Sequence, residues 1–306
     1  MEGQVGWTSV GGVLTNLLDG NPIAIAVAIV IAFGLPVLLH MIFFRAAASP
    51  PLRNFLLLGP SGGGKTALFS LLESKSSRIP KPEPLTHTSQ TSTLTTVALP
   101  ATVTAASNRY RSVNDSSLLD ISKNPVRYRV RDTPGHGKLR ESQGLSQLRE
   151  MTQSKEARER LRAVVFMVDA AALSEEEALR DTATYLHDVL FVLQKRALDK
   201  GKSAAKVAAE VPVLVAANKQ DLFTALPAGS VREKLEAEIE RVRKFRSKGL
   251  MDASAGSGET GGEDEILGND EGQEKFTFKL LEDEVGSNAE RGSGVRKWEE
   301  WIGMWL

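Results

Sequence analysis

The sequence GPSGGGKT, from Gly59 to Thr66, is the feature that most constrains how this chain folds. It follows the apolar run NFLLLG and precedes the helical pattern ALFSLLES. It therefore matches G-x-x-x-x-G-K-[ST] in the strand–turn–helix context that this motif requires. Successive backbone N–H groups of such a loop wrap a phosphate group at the start of a helix. The chain is predicted to contain an α/β domain that binds a nucleotide.

The remaining pattern also favours an α/β domain, because apolar strand patterns alternate with helical patterns from residue 54 onward. We predict six strands, which lie at 54–59, 94–104, 126–131, 163–170, 211–219 and from 276 onward. The helices between and after them are predicted at 66–73, 139–162, 175–195, 231–248 and 295–306. This alternation predicts a mostly parallel six-stranded sheet with helices on its faces.

The N-terminal region contains 22 residues without a charge, from Ile23 to Phe44. As a helix this stretch would be about 33 Å long, enough to cross a hydrocarbon core of about 30 Å. A cleaved signal peptide, a buried core helix and a re-entrant segment are the alternatives. The first lacks a basic n-region, and its apolar run is too long. We predict a single transmembrane helix.

Charge sets the orientation of this helix, because no Lys or Arg precedes Arg45, whereas Arg45 and Arg53 follow the apolar run. The positive-inside rule places the C-terminal bulk of the chain in the cytosol. The predicted organisation is a short lumenal N-terminus (1–22), a transmembrane helix (23–44), a linker (45–53) and a cytosolic domain (54–306). Residues 249–275 are rich in Gly, Ser and acids, which predicts a disordered insertion within that domain.

Composition excludes several classes of function. The formal net charge is zero, so no basic excess indicates direct, sequence-specific binding of nucleic acid. The chain has no cysteine, which excludes disulfides and thiolate metal sites. Its four histidines show no metal-ligand spacing.

Two further motifs follow the phosphate loop, and each closes a predicted strand. DTPGH begins at Asp132 and NKQD begins at Asn218. Open α/β sheets bind their ligands at the carboxyl ends of the strands, where both motifs lie. The order and spacing of the three motifs are those of guanine-nucleotide-binding proteins, which predicts GTP or GDP with Mg²⁺ as the ligands.

Each motif has a chemical role at such a site. Lys65 neutralises the β- and γ-phosphate oxygens, and the N–H of Gly135 reaches the γ-phosphate. Mg²⁺ is predicted to be held by Thr66, by the switch threonine Thr91, and through water by Asp132. The other residues of the phosphate loop that we assign to nucleotide binding are Gly59, Ser61, Gly62, Gly63, Gly64 and Ala67.

Guanine recognition is assigned to two loops. Asp221 would accept from the N1–H and the exocyclic amine of guanine, which adenine does not offer, while Asn218 braces the loop and the Lys219 stem lies along the base. Each such charged hydrogen bond contributes roughly 1.5–3 kcal/mol. The sequence GSNAERG after the sixth predicted strand supplies Ser287 and Ala289, with the Ala289 N–H meeting guanine O6.

The chain resembles the family of signal recognition particle receptor β subunits. The resemblance covers the apolar segment at 23–44, GPSGGGKT, QTS, DTPGH and NKQD. It implies a Ras/Arf-like P-loop GTPase domain behind a membrane span. Ser61 is similar to the Arf-like branch, and His136 stands where most relatives of that fold have the glutamine that orients water. His136 is therefore the catalytic candidate.

The resemblance also implies a role in cotranslational targeting at the endoplasmic reticulum membrane. The expected partner is the receptor α subunit, bound in the GTP state, with indirect contact to the ribosome and the signal recognition particle, and with the translocon as a further candidate partner. Slow intrinsic hydrolysis is expected, because no motif supplies an arginine in cis. Two alternatives remain at this point: an Arf-like trafficking GTPase on another organelle, and a GTP-hydrolysing enzyme that positions water with His136.

Overall fold

The computed structural model of the chain describes residues 22–47, 52–77, 87–100, 102–103, 105, 125–199, 211–257, 267, 275–278 and 295–306. The chain divides into two compact units, Met1–Pro51 and Leu52–Leu306. Ser287 and Ala289 fall outside the described residues, as does most of the predicted insertion.

The first unit is helical from residue 22 to residue 47. Its helices are α1 (Pro22–Ile29) and α2 (Leu35–Ala47), and a π-helical turn, Val30–Gly34, lies between them. Among the described residues, no helix combines the length and the hydropathy that crossing a membrane requires. The predicted transmembrane helix at 23–44 is not supported by this finding.

The second unit contains five strands: β1 (Arg53–Leu58), β2 (Thr93–Ala98), β3 (Arg127–Asp132), β4 (Leu161–Asp169) and β5 (Val213–Asn218). They form one sheet in the order β2-β3-β1-β4-β5. Only the β2–β3 pairing is antiparallel within this sheet. The parallel register aligns Leu57 with Asp132, and Asp169 with Asn218. The carboxyl ends of β1, β3, β4 and β5 therefore meet at one edge.

Helices cover both faces of this sheet. The α-helices of the second unit are α3 (Lys65–Ser76), α4 (Gly137–Leu139), α5 (Ser146–Gln153), α6 (Glu176–Asp199), α7 (Ala228–Ser257) and α8 (Val295–Met304), of which the short α4 has no buried residue. Alternate residues of β1 point to opposite faces. Leu56 and Leu58 pack with α5, α6 and α7, whereas Phe55 and Leu57 pack with α3 and α8. The predicted mostly parallel α/β fold is confirmed.

The prediction of a sixth strand is wrong for the residues that can be described. Lys275, Phe276 and Thr277 are not in a strand, and residues 279–294 lie outside the described part of the chain. The Phe276 N–H donates to Glu240 Oε2 over 3.1 Å, and the Phe278 N–H donates to Glu236 Oε1 over 2.8 Å. Side chains of α7 thus accept the hydrogen bonds that a neighbouring strand would accept, while both phenylalanine rings are buried in the core.

The predicted helix at 139–162 and the predicted insertion at 249–275 both need correction. The helix predicted at 139–162 is interrupted by a π-helical segment, Arg140–Leu145, and α5 ends at Gln153. Residues 161–162 instead begin β4, because Leu161 is buried in the core and pairs with Asn54. The predicted disordered insertion at 249–275 is wrong for residues 249–257, which continue α7.

Candidate nucleotide-binding site

The loop after β1 has the backbone that its glycines were predicted to permit. Gly59 has φ 137° and Gly64 has φ 92°, in the region that side chains disfavour. A Cβ atom at Gly59 would collide with the carbonyl oxygen of Met167 in β4, and one at Gly64 would collide with Nδ2 of Asn218. The loop is therefore pressed against the ends of β4 and β5, with glycine required at both contacts.

The NKQD segment braces this loop from the side of β5. Asn218 Nδ2 donates to the carbonyl oxygen of Gly63 over 3.0 Å. Lys219 has φ 58°, the only positive φ of a non-glycine residue in the described part of the chain, and its Nζ lies 2.6 Å from Asp169 Oδ2. The left-handed backbone turns the chain sharply after β5. Asp221 lies exposed just beyond this turn.

Lys65 places a buried positive charge inside the loop. Its side chain is 5% exposed, and its Nζ donates to the carbonyl oxygens of Gly59 and Pro60 over 2.8 and 2.7 Å. Burial lowers the pKa of Lys65 to about 8, and Arg140 adds to that effect, while the Asp132 carboxylate opposes it. A bound anion would stabilise the charged amine, so this environment suits a phosphate group.

Three oxygen-bearing side chains meet beside Lys65. Thr66 Oγ1 donates to Asp132 Oδ2 over 2.8 Å, and Ser89 Oγ lies 2.8 Å from Thr66 Oγ1 and 3.1 Å from Asp132 Oδ2. Burial raises the pKa of Asp132, and its hydrogen bond with Thr66 and the charge of Lys65 act against that rise. Two hydroxyls and a carboxylate form the kind of hard oxygen set that Mg²⁺ prefers, so these residues fit the metal.

Gly135 lies against the phosphate loop from the side of β3. A Cβ atom there would collide with Lys65 Nζ, and it would lie 2.6 Å from Ser61 N. Its carbonyl oxygen accepts a hydrogen bond from Arg140 Nε over 2.8 Å. His136, the next residue, is exposed.

These elements border a cavity of about 460 Å³. The predicted residues that line it are Ser61, Gly62, Gly64, Lys65, Thr66, Ala67, Gly135, Asn218 and Lys219. The residues that line it without having been predicted are His87, Thr88, Ser89 and Thr133. Thr91, Asp221 and His136 are exposed and do not line it, whereas Asp132 is buried beside it.

The sequence predicted that Thr91 supplies the hydroxyl that holds Mg²⁺ from the segment before β2. In the structure Ser89, and not Thr91, contacts Asp132 and Thr66. Strand β2 begins at Thr93, which pairs with Asp132, and the chain before it lines the cavity with His87, Thr88 and Ser89. Several hydroxyl residues precede β2, and the sequence pattern does not distinguish among them.

Known proteins resemble this chain over most of its length. The family model described as signal recognition particle receptor beta subunit matches residues 51–285. The Saccharomyces cerevisiae signal recognition particle receptor subunit beta is 27% identical over 255 residues, covering 81% of this chain and 82% of that protein.

Two solved structures from Chaetomium thermophilum are also similar. The signal recognition particle receptor SRb-GTP/SRX complex has a TM-score of 0.58 and 33% identity, covering 82% of this chain and 98% of that chain. The SRb-GDP-Mg structure has a TM-score of 0.52 and 32% identity, covering 83% of this chain and 97% of that chain.

Proposed function

This chain belongs to the signal recognition particle receptor β-subunit family, and from that premise we propose that it is the GTP-binding subunit of the receptor. In its GTP-bound form it docks the α subunit for cotranslational protein targeting. The observation that carries this proposal is the convergence of the phosphate loop, Asp132 and Asn218 on one cavity at the carboxyl edge of the sheet. Membership of the family favours it over a trafficking GTPase on another organelle.

The phosphate groups of GTP or GDP are held by the loop from Gly59 to Thr66. The buried amine of Lys65 supplies the positive charge, and backbone N–H groups from Gly62 onward supply donors. Two similar structures are named for the ligands GTP and GDP-Mg, which supports the same ligands here.

Mg²⁺ is held at Thr66 and Asp132, with Ser89 as the hydroxyl from the segment before β2. When bound, the metal neutralises the charge on the phosphate oxygens. Ser89 thereby takes the part that the sequence assigned to Thr91. The segment before β2, which also lines the cavity with His87 and Thr88, would then contact the metal through Ser89.

Guanine selectivity is the first test of this function. Asp221→Asn changes the group that faces the base, so GTP affinity should fall and xanthosine triphosphate affinity should rise. Competition among GTP, ATP and xanthosine triphosphate for the full-length wild type and the variant measures both changes. Wild-type protein that binds ATP as tightly as GTP would show that the assignment of Lys219 and Asp221 to the base is wrong.

The second test concerns the nucleotide-dependent partner. Lys65→Ala removes the buried charge and Thr66→Ala removes a metal-binding hydroxyl, so neither variant should capture the α subunit. The comparison uses GTP-loaded and GDP-loaded wild type, with exposed Lys155→Ala as a control for the loss of a lysine. Equal capture of the α subunit in both nucleotide states would refute GTP-dependent docking.

We expect GTP to be hydrolysed slowly, so that the protein acts as a switch. His136 replaces the usual water-orienting glutamine, and related proteins without an arginine supplied at the phosphates hydrolyse GTP at roughly 10⁻⁴ per second. Single-turnover hydrolysis measures this rate, and His136→Ala tests the side chain. Unaided turnover of about 1 per second that is lost in His136→Ala would instead support an enzyme whose histidine positions water.

The site of action is proposed to be the endoplasmic reticulum membrane, with the GTPase domain of residues 54–306 in the cytosol and residues 1–22 in the lumen. The absence of Lys and Arg before Arg45 supports this orientation. Contacts with the ribosome, the signal recognition particle and the translocon would then be indirect, through the receptor. Protease added to sealed microsomes should digest the domain of residues 54–306. Full protection of that domain would show that the proposed orientation is wrong.

A further inference from the structure

The Arg140 guanidinium donates hydrogen bonds both to the Gly135 carbonyl oxygen and to a carboxylate of helix α6. Its Nε donates to Gly135 O over 2.8 Å, and its two terminal nitrogens donate to the two carboxylate oxygens of Asp181 over 2.7 and 2.6 Å. The guanidinium carbon also lies 4.8 Å from the centre of the Tyr185 ring. The hydrogen bonds to Gly135 and Asp181 come from N–H groups at the edge of the guanidinium, and Tyr185 packs against the planar group, an arrangement that a lysine ammonium does not offer.

The Arg140 side chain is largely shielded from solvent, and its partners on α6 belong to a helix that packs in the core. The Arg140 side chain is 13% exposed, whereas that of Asp181 is 53% exposed. Asp181 and Tyr185 lie one helical turn apart on α6, and Tyr185 is buried in the core. A bidentate arginine–carboxylate pair fixes direction as well as distance. Gly135 is therefore connected to the core of the domain through a side chain.

Gly135 needs such support, because glycine has wide freedom in both backbone dihedral angles. It lies between the phosphate loop on one side and Arg140 on the other. Fixing its carbonyl limits the orientations of the peptide groups around it, including the Gly135 N–H, which the sequence assigns to the γ-phosphate. An interaction at that end is available to GTP and absent in GDP.

We propose that Arg140 is a positioning residue that makes the site prefer GTP to GDP, by holding Gly135 in place through its contacts with Asp181 and Tyr185. This inference rests on the proposed binding of guanine nucleotides. Arg140 is not assigned to the reacting phosphate itself. Its contacts run to the backbone of Gly135 and to α6. Helix α6, which does not line the cavity, would thereby contribute to the preference for GTP over GDP.

The test measures GTP and GDP dissociation constants for the full-length protein in detergent, using fluorescent analogues of each nucleotide. Arg140→Ala should weaken GTP binding about tenfold with GDP binding unchanged, a factor that corresponds to ordering one backbone residue. Arg140→Lys should recover part of the loss, because one amine reaches one partner at a time. Asp181→Asn, at an exposed carboxylate, should shift the ratio in the same direction by less.

The matched control is Arg180→Ala, which removes a neighbouring arginine of α6 whose side chain is 65% exposed and pairs with Glu176. It should leave both affinities unchanged. A merely structural role for Arg140 would lower GTP and GDP affinity equally, and that outcome, or an unchanged ratio in both Arg140→Ala and Asp181→Asn, would overturn the inference. Wild-type protein that binds neither nucleotide would instead refute the proposed function.

Discussion

Gly64→Ala should destabilise the domain more than Gly62→Ala, although both glycines lie in the same loop with positive φ. Gly64 has φ 92° and Gly62 has φ 76°, so an alanine at either position costs about 1–2 kcal/mol of backbone strain. A Cβ at Gly62 would have nothing within 4 Å, whereas one at Gly64 would collide with Asn218 Nδ2. The two variants differ in that contact.

The larger destabilisation expected for Gly64→Ala comes from a hydrogen bond that Asn218 would lose. Its side chain can rotate away from the new methyl group, but it then loses the 3.0 Å hydrogen bond to Gly63. That bond contributes about 0.5–1.5 kcal/mol. Gly64→Ala should therefore lower the free energy of unfolding by about 1.5–3.5 kcal/mol, and Gly62→Ala by about 1–2 kcal/mol.

Asn218→Ala completes a double-mutant cycle with Gly64→Ala. The truncated side chain no longer meets the new methyl group, so the double variant should be more stable than the sum of the single effects by about 0.5–1.5 kcal/mol. Urea unfolding followed by tryptophan fluorescence measures this, since Trp298 and Trp301 are buried in the core. Equal stability of the two glycine variants, or strict additivity in the cycle, would refute the proposed contact.

Three further predictions concern other parts of the domain. Ser89→Ala should weaken Mg²⁺-dependent GTP binding about tenfold in a Mg²⁺ titration, and Thr91→Ala, at an exposed position, should weaken it less. A larger loss in Thr91→Ala than in Ser89→Ala would support the sequence-based assignment of Thr91 to the metal. Phe276→Ala should lower the free energy of unfolding by about 3–5 kcal/mol, because the ring is buried, whereas the fully exposed Phe223→Ala should change it by less than about 0.5 kcal/mol. Burial acts to raise the pKa of Asp188, but hydrogen bonds from two basic neighbours outweigh it and lower that pKa. The wild type should therefore be more stable than Asp188→Asn above about pH 4, and this difference should vanish as the pH falls further. Urea unfolding of both proteins at about pH 6 and about pH 3 measures the difference, and an equal difference at the two pH values would show that the pKa of Asp188 is not lowered.

The sequence predicted the phosphate loop and the strand that leads into it because that relation is local. Gly59 and Gly64 need positive φ, Lys65 begins the next helix, and the apolar run before Gly59 is long enough for one buried strand. Asn218 was placed correctly at the end of β5 for the same reason. Motif and secondary structure constrain each other over a few residues.

Other features depended on partners far along the chain. The alternation around Phe276 fits a strand, but its backbone N–H groups found acceptors in the glutamates of α7 instead. The polar helical pattern before Leu161 carries no sign of where α5 ends, because the burial of Leu161 against β1 decides it. The position of Ser89 depends on its contacts with Thr66 and Asp132, which side-chain patterns in a hydroxyl-rich segment do not specify.

The contacts that shape the cavity join segments widely separated in sequence. Asn218 and Gly63 are 155 residues apart, and Thr66 and Asp132 are 66 residues apart. Arg140 adds a connection from the β3 loop to α6. The phosphate loop is thus held from β5 on one side and from β3 on the other, and each contact requires the strand that carries it to be in place. The phosphate site should therefore lose its shape when any of these strands detaches, because its geometry is a property of the assembled sheet edge and not of the loop.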